Sequence, residues 1–220
     1  RDTSFSVYDA IIHVAGIVHV KEKNDGLYYQ VNRDLAFETA KKAKADGAKQ
    51  FIFFSSMSVF GMDTGVITDK TMPNPTTPYG KSKLAAEVFL KEIESESFRI
   101  CILRPPMIYG PNSVGNYPKL AKLAKKSPIF PKINNQRSML YIGNLSAFLK
   151  LMLDNNLSGT FHPQNGQYVN TSEMVKLIAD ANNKNLRVIP GFSKIIELIS
   201  ARIGVFRKVF GSLIYQESTI

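Results

Sequence analysis

The chain has 220 residues, with 28 Lys and Arg against 18 Asp and Glu, a formal net charge of +10 and 44% hydrophobic residues. This is the composition of a globular chain long enough for one sizeable core, and lysines and arginines interrupt every apolar run before it reaches membrane-spanning length. A single cysteine, Cys101, rules out an internal disulfide and fits a buried, inert thiol in a reducing, cytoplasmic setting.

The elements alternate from the start. "YDAIIHVAG" is an apolar run stopped by Gly16 and reads as a buried strand. "DGLYYQVNRDLAFETAKKAKADG" has helical periodicity and stops at Gly47. "KQFIFFSS" is a second buried strand, and it ends on hydroxyls. "YGKSKLAAEVFLKEIESES" is an amphipathic helix with Ala85, Val88, Phe89 and Ile93 on one side. "FRICILRP" is a third strand, ended by Pro105 and Pro106. Strand, helix, strand, helix, strand predicts a parallel sheet with right-handed crossovers. Beyond Pro111 the pattern loosens. "YPKLAKLAKK" and "NLSAFLKLMLDN" are helical, "GTFHPQN" is strand or loop, and "TSEMVKLIADANN" is a helix with Thr171 or Ser172 as its N-cap. The expected class is therefore α/β: a doubly wound parallel sheet over residues 1–111, then a smaller α/β part over 112–220.

Chemistry concentrates at the second strand and the second helix. In an open parallel sheet, ligands bind outside the carboxyl ends of the strands, so Ser55 and Ser56 should line a crevice. Tyr79 and Lys83 are one helical turn apart and share a face. An ammonium beside a phenol favours the phenolate. Tyr79 as acid or base, Lys83 as its tuner and Ser56 as positioner would make a proton-transfer device. Taken alone, the Tyr-x-x-x-Lys pair also fits a solvated helix face. No Lys/Arg block is dense enough to argue for nucleic acid, and no zinc-ligand spacing occurs, so the charge suits an anionic small substrate or an acidic surface.

Five stretches, in order, carry a resemblance: "HVAG", "VNRDLAFETAKKA", "FFSSMSVFG", "PYGKSKLAAE" and "LRPPMIYGP". The chain resembles the extended short-chain dehydrogenase/reductase superfamily, in its NAD-dependent nucleotide-sugar epimerase/dehydratase branch, from about Asp9 to Leu145. The resemblance implies a Rossmann-like fold, NAD (with NADP open) as cofactor, a UDP-sugar or similar substrate, no integral membrane segment, a role in polysaccharide biosynthesis and a homodimer. It implies catalytic Ser56, Tyr79 and Lys83. Val14, Ala15, Gly16, Asn32, Ser55, Tyr79, Lys83 and Pro106 would lie at the cofactor. Ser56, Ser58, Asn116, Phe130 and Arg137 would lie at the substrate, Arg137 gripping a diphosphate bidentately. For Asn32 a core hydrogen bond, for Phe130 a tucked loop aromatic and for Arg137 a surface charge remain open.

The departures are informative. The branch opens with a strand and a glycine-rich phosphate turn that these residues lack, so the sheet is expected to be partial, without its first strands, and the 220 residues alone are expected to be inactive. Met57 and Ser58 stand where dehydratases carry an acidic pair, which leaves 4-epimerase or 4-keto-sugar reductase. Met107 replaces the asparagine of the family's "RPxNVYGP" pattern. Two other classes remain: a related reductase of a non-sugar alcohol or ketone, and a non-catalytic binding or membrane-surface module suggested by the basic amphipathic tail "FSKIIELISARIGVFRKVFGSLIY". The dimer is expected to form through the two long helices, with Leu35, Phe37, Ala86 and Leu90 as the outer seam. The 10–15 strand is expected to need a covering partner on its open edge.

Overall fold

The computed structural model describes residues 4–18, 24–113, 116–191 and 210–217. Most of the basic tail lies outside the described residues, as does the side chain of Asn116.

The chain divides into two compact units: residues 1–61, 72–105 and 145–163 form the first, and 62–71, 106–144 and 164–220 the second. The boundary is therefore not a single cut near residue 111. The chain returns to the first unit because the sheet takes its last described strand from residues 159–161.

The first unit is a four-stranded parallel sheet in the order β1 (Ala10–His13), β2 (Gln50–Phe54), β4 (Arg99–Leu103), β8 (Gly159–Phe161). Here β3 (Gly65–Ile67) and β5 (Met107–Tyr109) to β7 (Met139–Tyr141) belong to the second unit. β1 pairs with β2 in register Ala10 to Gln50, and β2 with β4 in register Gln50 to Arg99. Parallel strands need crossovers. These are α1 (Asp25–Tyr29), a π-helical turn at Gln30–Asp34, α2 (Leu35–Ala45), and then α3 (Pro78–Glu92). The predicted 25–47 helix is thus interrupted, and the interruption carries Asn32.

β2 is buried along nearly all its length, as an apolar run covered on both faces must be. Phe51 and Phe53 are fully buried and pack with Ala36, Ala40, Ala86, Leu90, Phe98 and Ile100. Burying each phenylalanine contributes about 1.5–3 kcal/mol. Cys101 is buried on β4, as its apolar run predicts, and its thiol donates to the Leu157 carbonyl at 2.7 Å.

α3 starts cleanly. The Thr77 hydroxyl accepts from the Gly80 N–H at 3.1 Å, and Pro78 occupies the first turn, where a missing N–H costs nothing. Its buried face is Gly80, Ser82, Lys83, Ala86, Glu87 and Leu90. The apolar stripe noted in the sequence is not the buried face: Val88 is exposed and Phe89 half-buried, its ring 5.4 Å from Phe37, and Ile93 alone of the four packs against the core cluster. Ala86 and Leu90 therefore belong to the core and cannot form an outer seam, while Leu35 and Val88 are exposed and available for one. Ala86 and Leu90 cluster instead with Phe51, Phe53, Ile100 and Ile102 of β2 and β4.

In the second unit, β5 pairs with β7, β6 (Ile129–Pro131) with β9 (Arg187–Ile189), and β3 with β10 (Leu213–Tyr215), all parallel. Two helices, α4 (Asn116–Lys126) and α6 (Thr171–Ala181), close its core around Ala124, Phe130, Ile133, Val175, Ala179 and Leu186. α6 is capped one residue earlier than the sequence suggests: the Asn170 side chain accepts from the N–H groups of Ser172 and Glu173. The helix α5 (Ile142–Asp154) belongs to the first unit from Leu145 onward.

Candidate active site

At the carboxyl end of β2 the backbone turns sharply. Ser56 is extended and caps the 3₁₀ turn Met57–Phe60, its hydroxyl accepting from the Ser58 N–H at 3.1 Å and donating to the Ser58 hydroxyl at 3.0 Å. Gly61 closes the turn at φ +67°, and a Cβ there would sit 2.0 Å from the Asn74 carbonyl oxygen. The Met57 N–H donates to the Pro105 carbonyl at 3.0 Å, which ties this turn to the end of β4. Pro106 follows directly but falls in the second unit.

α3 is seated against this turn. Gly80 is the point of closest approach: a Cβ there would lie 2.6 Å from the Ser58 carbonyl oxygen. The contact seats the start of α3, and with it Tyr79, against the turn that carries Ser56 and Ser58. Burial pushes the Tyr79 phenol above its ordinary value of 10.0, with the Ser56 hydroxyl pulling the other way. Lys83, one turn further along α3, meets the strand end. Its buried ammonium donates to the Phe54 carbonyl at 2.8 Å and lies 4.7 Å from the Phe53 ring centre. Burial lowers the Lys83 ammonium to about 8, against the attraction of Glu87.

The loop after β1 comes to the same lysine. Val14, Ala15 and Gly16 are exposed. A Cβ at Gly16 would lie 3.0 Å from Asn32 Oδ1 and 3.1 Å from Lys83 Nζ. Asn32, fully buried in its π turn, takes the Ile17 N–H at 2.8 Å and donates to the Ile17 carbonyl and the Ser82 hydroxyl, each at 3.0 Å. The Ser82 hydroxyl in turn donates to the Tyr79 carbonyl at 2.9 Å. Asn32 is thus a staple between the Gly16 loop and α3. A π turn is a frequent way to aim one side chain at a functional site. Next to it His13 is buried with Nε2 unpartnered among the described residues, and burial with Lys83 nearby lowers its imidazole to about 4.

Two residues that sequence reasoning passed over complete this arrangement. Glu87 is buried on α3, one turn beyond Lys83, and accepts from the Ser55 hydroxyl. Arg104, at the end of β4, binds the same carboxylate through Nε at 3.1 and 3.2 Å and through a terminal nitrogen at 2.6 Å. The signal was present in "YGKSKLAAE": Tyr79, Lys83 and Glu87 recur every four residues on one helix face.

The first unit therefore brings together Gly16, Asn32, Ser55, Ser56, Ser58, Tyr79 and Lys83. The donor set suits the nicotinamide and ribose portion of a dinucleotide: a glycine backbone without a side chain, and a lysine with one N–H on Phe54 and two to spare. In the second unit, Phe130 is only 3% exposed and its ring lies 6.2 Å from that of Phe210. It is a core aromatic and has no face left for stacking on a base, a correction to its expected place at the substrate. Arg137 is half-buried, with one guanidinium nitrogen donating to the Gly211 carbonyl at 2.9 Å. No helix among the described residues is long and apolar enough to cross a membrane.

Residues 3–164 match the model of the NAD dependent epimerase/dehydratase family. The chain is 33% identical over 193 residues to a UDP-glucose 4-epimerase of Vibrio cholerae, covering 82% of this chain and 59% of the relative. It is 27% identical over 192 residues to an N-acetyl-alpha-D-glucosaminyl-diphospho-ditrans,octacis-undecaprenol 4-epimerase of Escherichia coli O157:H7, covering 84% and 58%. The crystal structure of a dTDP-4-dehydrorhamnose reductase from Bacillus anthracis, in complex with NADP, superposes with a TM-score of 0.72 at 26% identity, covering 96% of this chain and 72% of that one. The chain thus spans somewhat over half the length of the curated relatives it matches.

Proposed function

The chain belongs to the NAD dependent epimerase/dehydratase family, and from that premise we propose that it carries the acid–base site of a nucleotide-sugar 4-epimerase or 4-keto-sugar reductase. The observation that carries this reading is the convergence of Ser56, Tyr79 and Lys83 with the Gly16 loop on one strand end.

NAD(P), when bound, supplies hydride acceptance and return at the sugar C4. The chain's own residues handle the proton. Tyr79 takes it from the C4 hydroxyl and gives it back to the C4 oxygen. Ser56, on the turn against which the start of α3 is seated, holds that oxygen in line. Lys83 presents two N–H groups beside the Gly16 backbone, where they can hold ribose hydroxyls. With a cofactor seated there, its charge also favours the phenolate. Tyr79 at rest sits above its ordinary value, so the proton leaves the phenol only in the loaded site.

Met57 and Ser58, in place of an acidic pair, provide no second carboxylate for water loss, which favours epimerase or reductase over dehydratase. An epimerase would take hydride from C4 and return it to the other face of the ketone with no net use of cofactor, whereas a reductase would start from the 4-ketone and consume one reduced cofactor per turnover. Similarity to an epimerase supports the first, and the superposition on a reductase supports the second.

A nucleotide diphosphate as substrate is supported by charge. From Ser97 to Leu153 there are nine Lys and Arg and no Asp or Glu. Arg137 is our diphosphate ligand; a chain working on a neutral alcohol would have no use for it. Leu35 and Val88 offer an exposed apolar seam for a homodimer. We place the protein in the cytoplasm, where a lone buried thiol such as Cys101 stays reduced.

The test is reduction of NAD by UDP-hexoses in the whole protein, comparing Tyr79→Phe with wild type. Turnover of a 4-hydroxy nucleotide sugar that vanishes in the variant supports the reading. Turnover retained in the variant overturns it.

A further inference from the structure

Glu87 and Arg104 form a buried ion pair, 1% and 8% exposed, with no role in the proton transfer described above. Such a pair is poor evidence of a stability requirement, because apolar residues of similar volume commonly serve as well. Its surroundings suggest another use. Lys83 and Glu87 lie on one face of α3, and both reach the end of β2: Lys83 donates to the Phe54 carbonyl, and Glu87 accepts from the next residue's hydroxyl, Ser55. The following residue is Ser56. Arg104 anchors the carboxylate from just after β4, and its guanidinium also lies 5.1 Å from the Phe60 ring centre, on the turn that carries Ser56 and Ser58. Two side chains four apart thus clamp the acid–base helix to two successive residues of the strand end.

We propose that Glu87, held in place by Arg104, is a positioning residue for this site: it fixes α3 against the strand end that presents Ser56 and sets its carboxylate one helical turn from the Lys83 ammonium. This rests on the reading of Ser56, Tyr79 and Lys83 given under Proposed function.

The charged and titratable groups that bear on Lys83 are few. Glu87 and Tyr79 lie one turn either side of it on α3. His13 approaches from β1 and is neutral above about pH 4, so it adds no second positive charge beside Lys83. Arg104, just after β4, is neutralised by the same carboxylate. Burial works against the ammonium, and the Glu87 carboxylate is the group that works for it. Without that carboxylate, Lys83 would lose its proton nearer neutral pH, and a neutral amine cannot favour a phenolate.

The experiment is a titration of the Lys83 side-chain nitrogen by NMR in 15N-lysine-labelled whole protein, assigned with Lys83→Arg. It is run on wild type, Glu87→Gln, Glu87→Asp and the double variant Glu87→Gln/Arg104→Met. The double variant leaves no unpaired arginine and so remains testable if Glu87→Gln fails to fold. The expected result is a midpoint lower by about one unit in Glu87→Gln and in the double variant, with recovery in Glu87→Asp. Where turnover is measured, its alkaline limit should move down with it. A Lys83 midpoint unchanged in the double variant overturns the proposal and makes the pair purely structural. The titration does not depend on turnover, so failure of the functional reading would show separately, as a wild type with a normal Lys83 midpoint and no activity on nucleotide sugars.

Discussion

Gly80→Ala sets two rules of protein energetics against each other. Gly80 lies in the first turn of a helix, where alanine is ordinarily the better residue by about 0.5–1 kcal/mol. Propensity alone therefore makes the substitution stabilising. The packing says the reverse. A Cβ on Gly80 would lie 2.6 Å from the Ser58 carbonyl oxygen and 3.0 Å from the Pro75 side chain, and ordinary contact begins at 3.4 Å. The obstacle is backbone, held in a 3₁₀ turn that Ser56 caps and Met57 ties to Pro105, so it cannot swing aside. The helix start must retreat by the better part of an ångström, which carries Tyr79 away from the turn that holds Ser56. Overpacking of this kind costs about 1–3 kcal/mol, so the net expectation is a loss of about 1–2 kcal/mol. Urea unfolding followed by circular dichroism reads it directly. A displacement of this size at a reacting group costs turnover up to about a hundredfold. Gly80→Ala as stable as wild type, or more so, would refute the close approach of α3 to the serine turn.

Three further outcomes are expected. Cys101, whose thiol burial pushes up to about 11, should resist a disulfide reagent at pH 8 in the folded protein and react at once in denaturant; rapid native labelling would contradict its burial. His13 falls from 6.5 to about 4 on folding, so the unfolded chain binds more protons between those values and stability should rise with pH across that window, by about 3 kcal/mol in all; His13→Gln should flatten that slope, and an unchanged slope would remove His13 from it. Arg137→Ala should weaken a uridine diphosphate ligand by about 1.5–3 kcal/mol while leaving NAD affinity alone, and calorimetry showing equal affinity for the nucleotide ligand would take Arg137 out of the substrate site.

Much of this was legible in the residues. The apolar runs around Ile52 and Ile102 are strands buried on both faces, the run around Ile11 is the half-exposed strand at the end of the described sheet, and their spacing leaves room for crossovers. The serines that end β2 and the Tyr79–Lys83 spacing place the chemistry at one strand end. Orientation was harder to read. Ala85, Val88 and Phe89 form the more conspicuous apolar stripe of α3, yet its buried face is built on Ala86 and Leu90 and also takes in Ser82, Lys83 and Glu87. A helix that must bury polar residues at a site cannot be oriented by hydrophobicity alone. The π turn at Asn32 follows from a staple to Ile17 and Ser82 that no local propensity encodes. Phe130 shows the opposite failure: a loop-like "SPIFP" suggested availability, and the small core of the second unit took the ring.

The acid–base assignment of Tyr79 is tested most directly by single-turnover kinetics in the whole protein. NAD-loaded enzyme is mixed with a nucleotide hexose, and nicotinamide reduction is followed optically in wild type and Tyr79→Phe. The expected result is rapid reduction in wild type and a rate at least about a hundredfold lower in the variant, the usual share of general acid–base catalysis, with the variant's fold unchanged by circular dichroism. A variant that reduces nicotinamide at more than about a tenth of the wild-type rate would contradict the assignment of Tyr79 as the group that moves the proton.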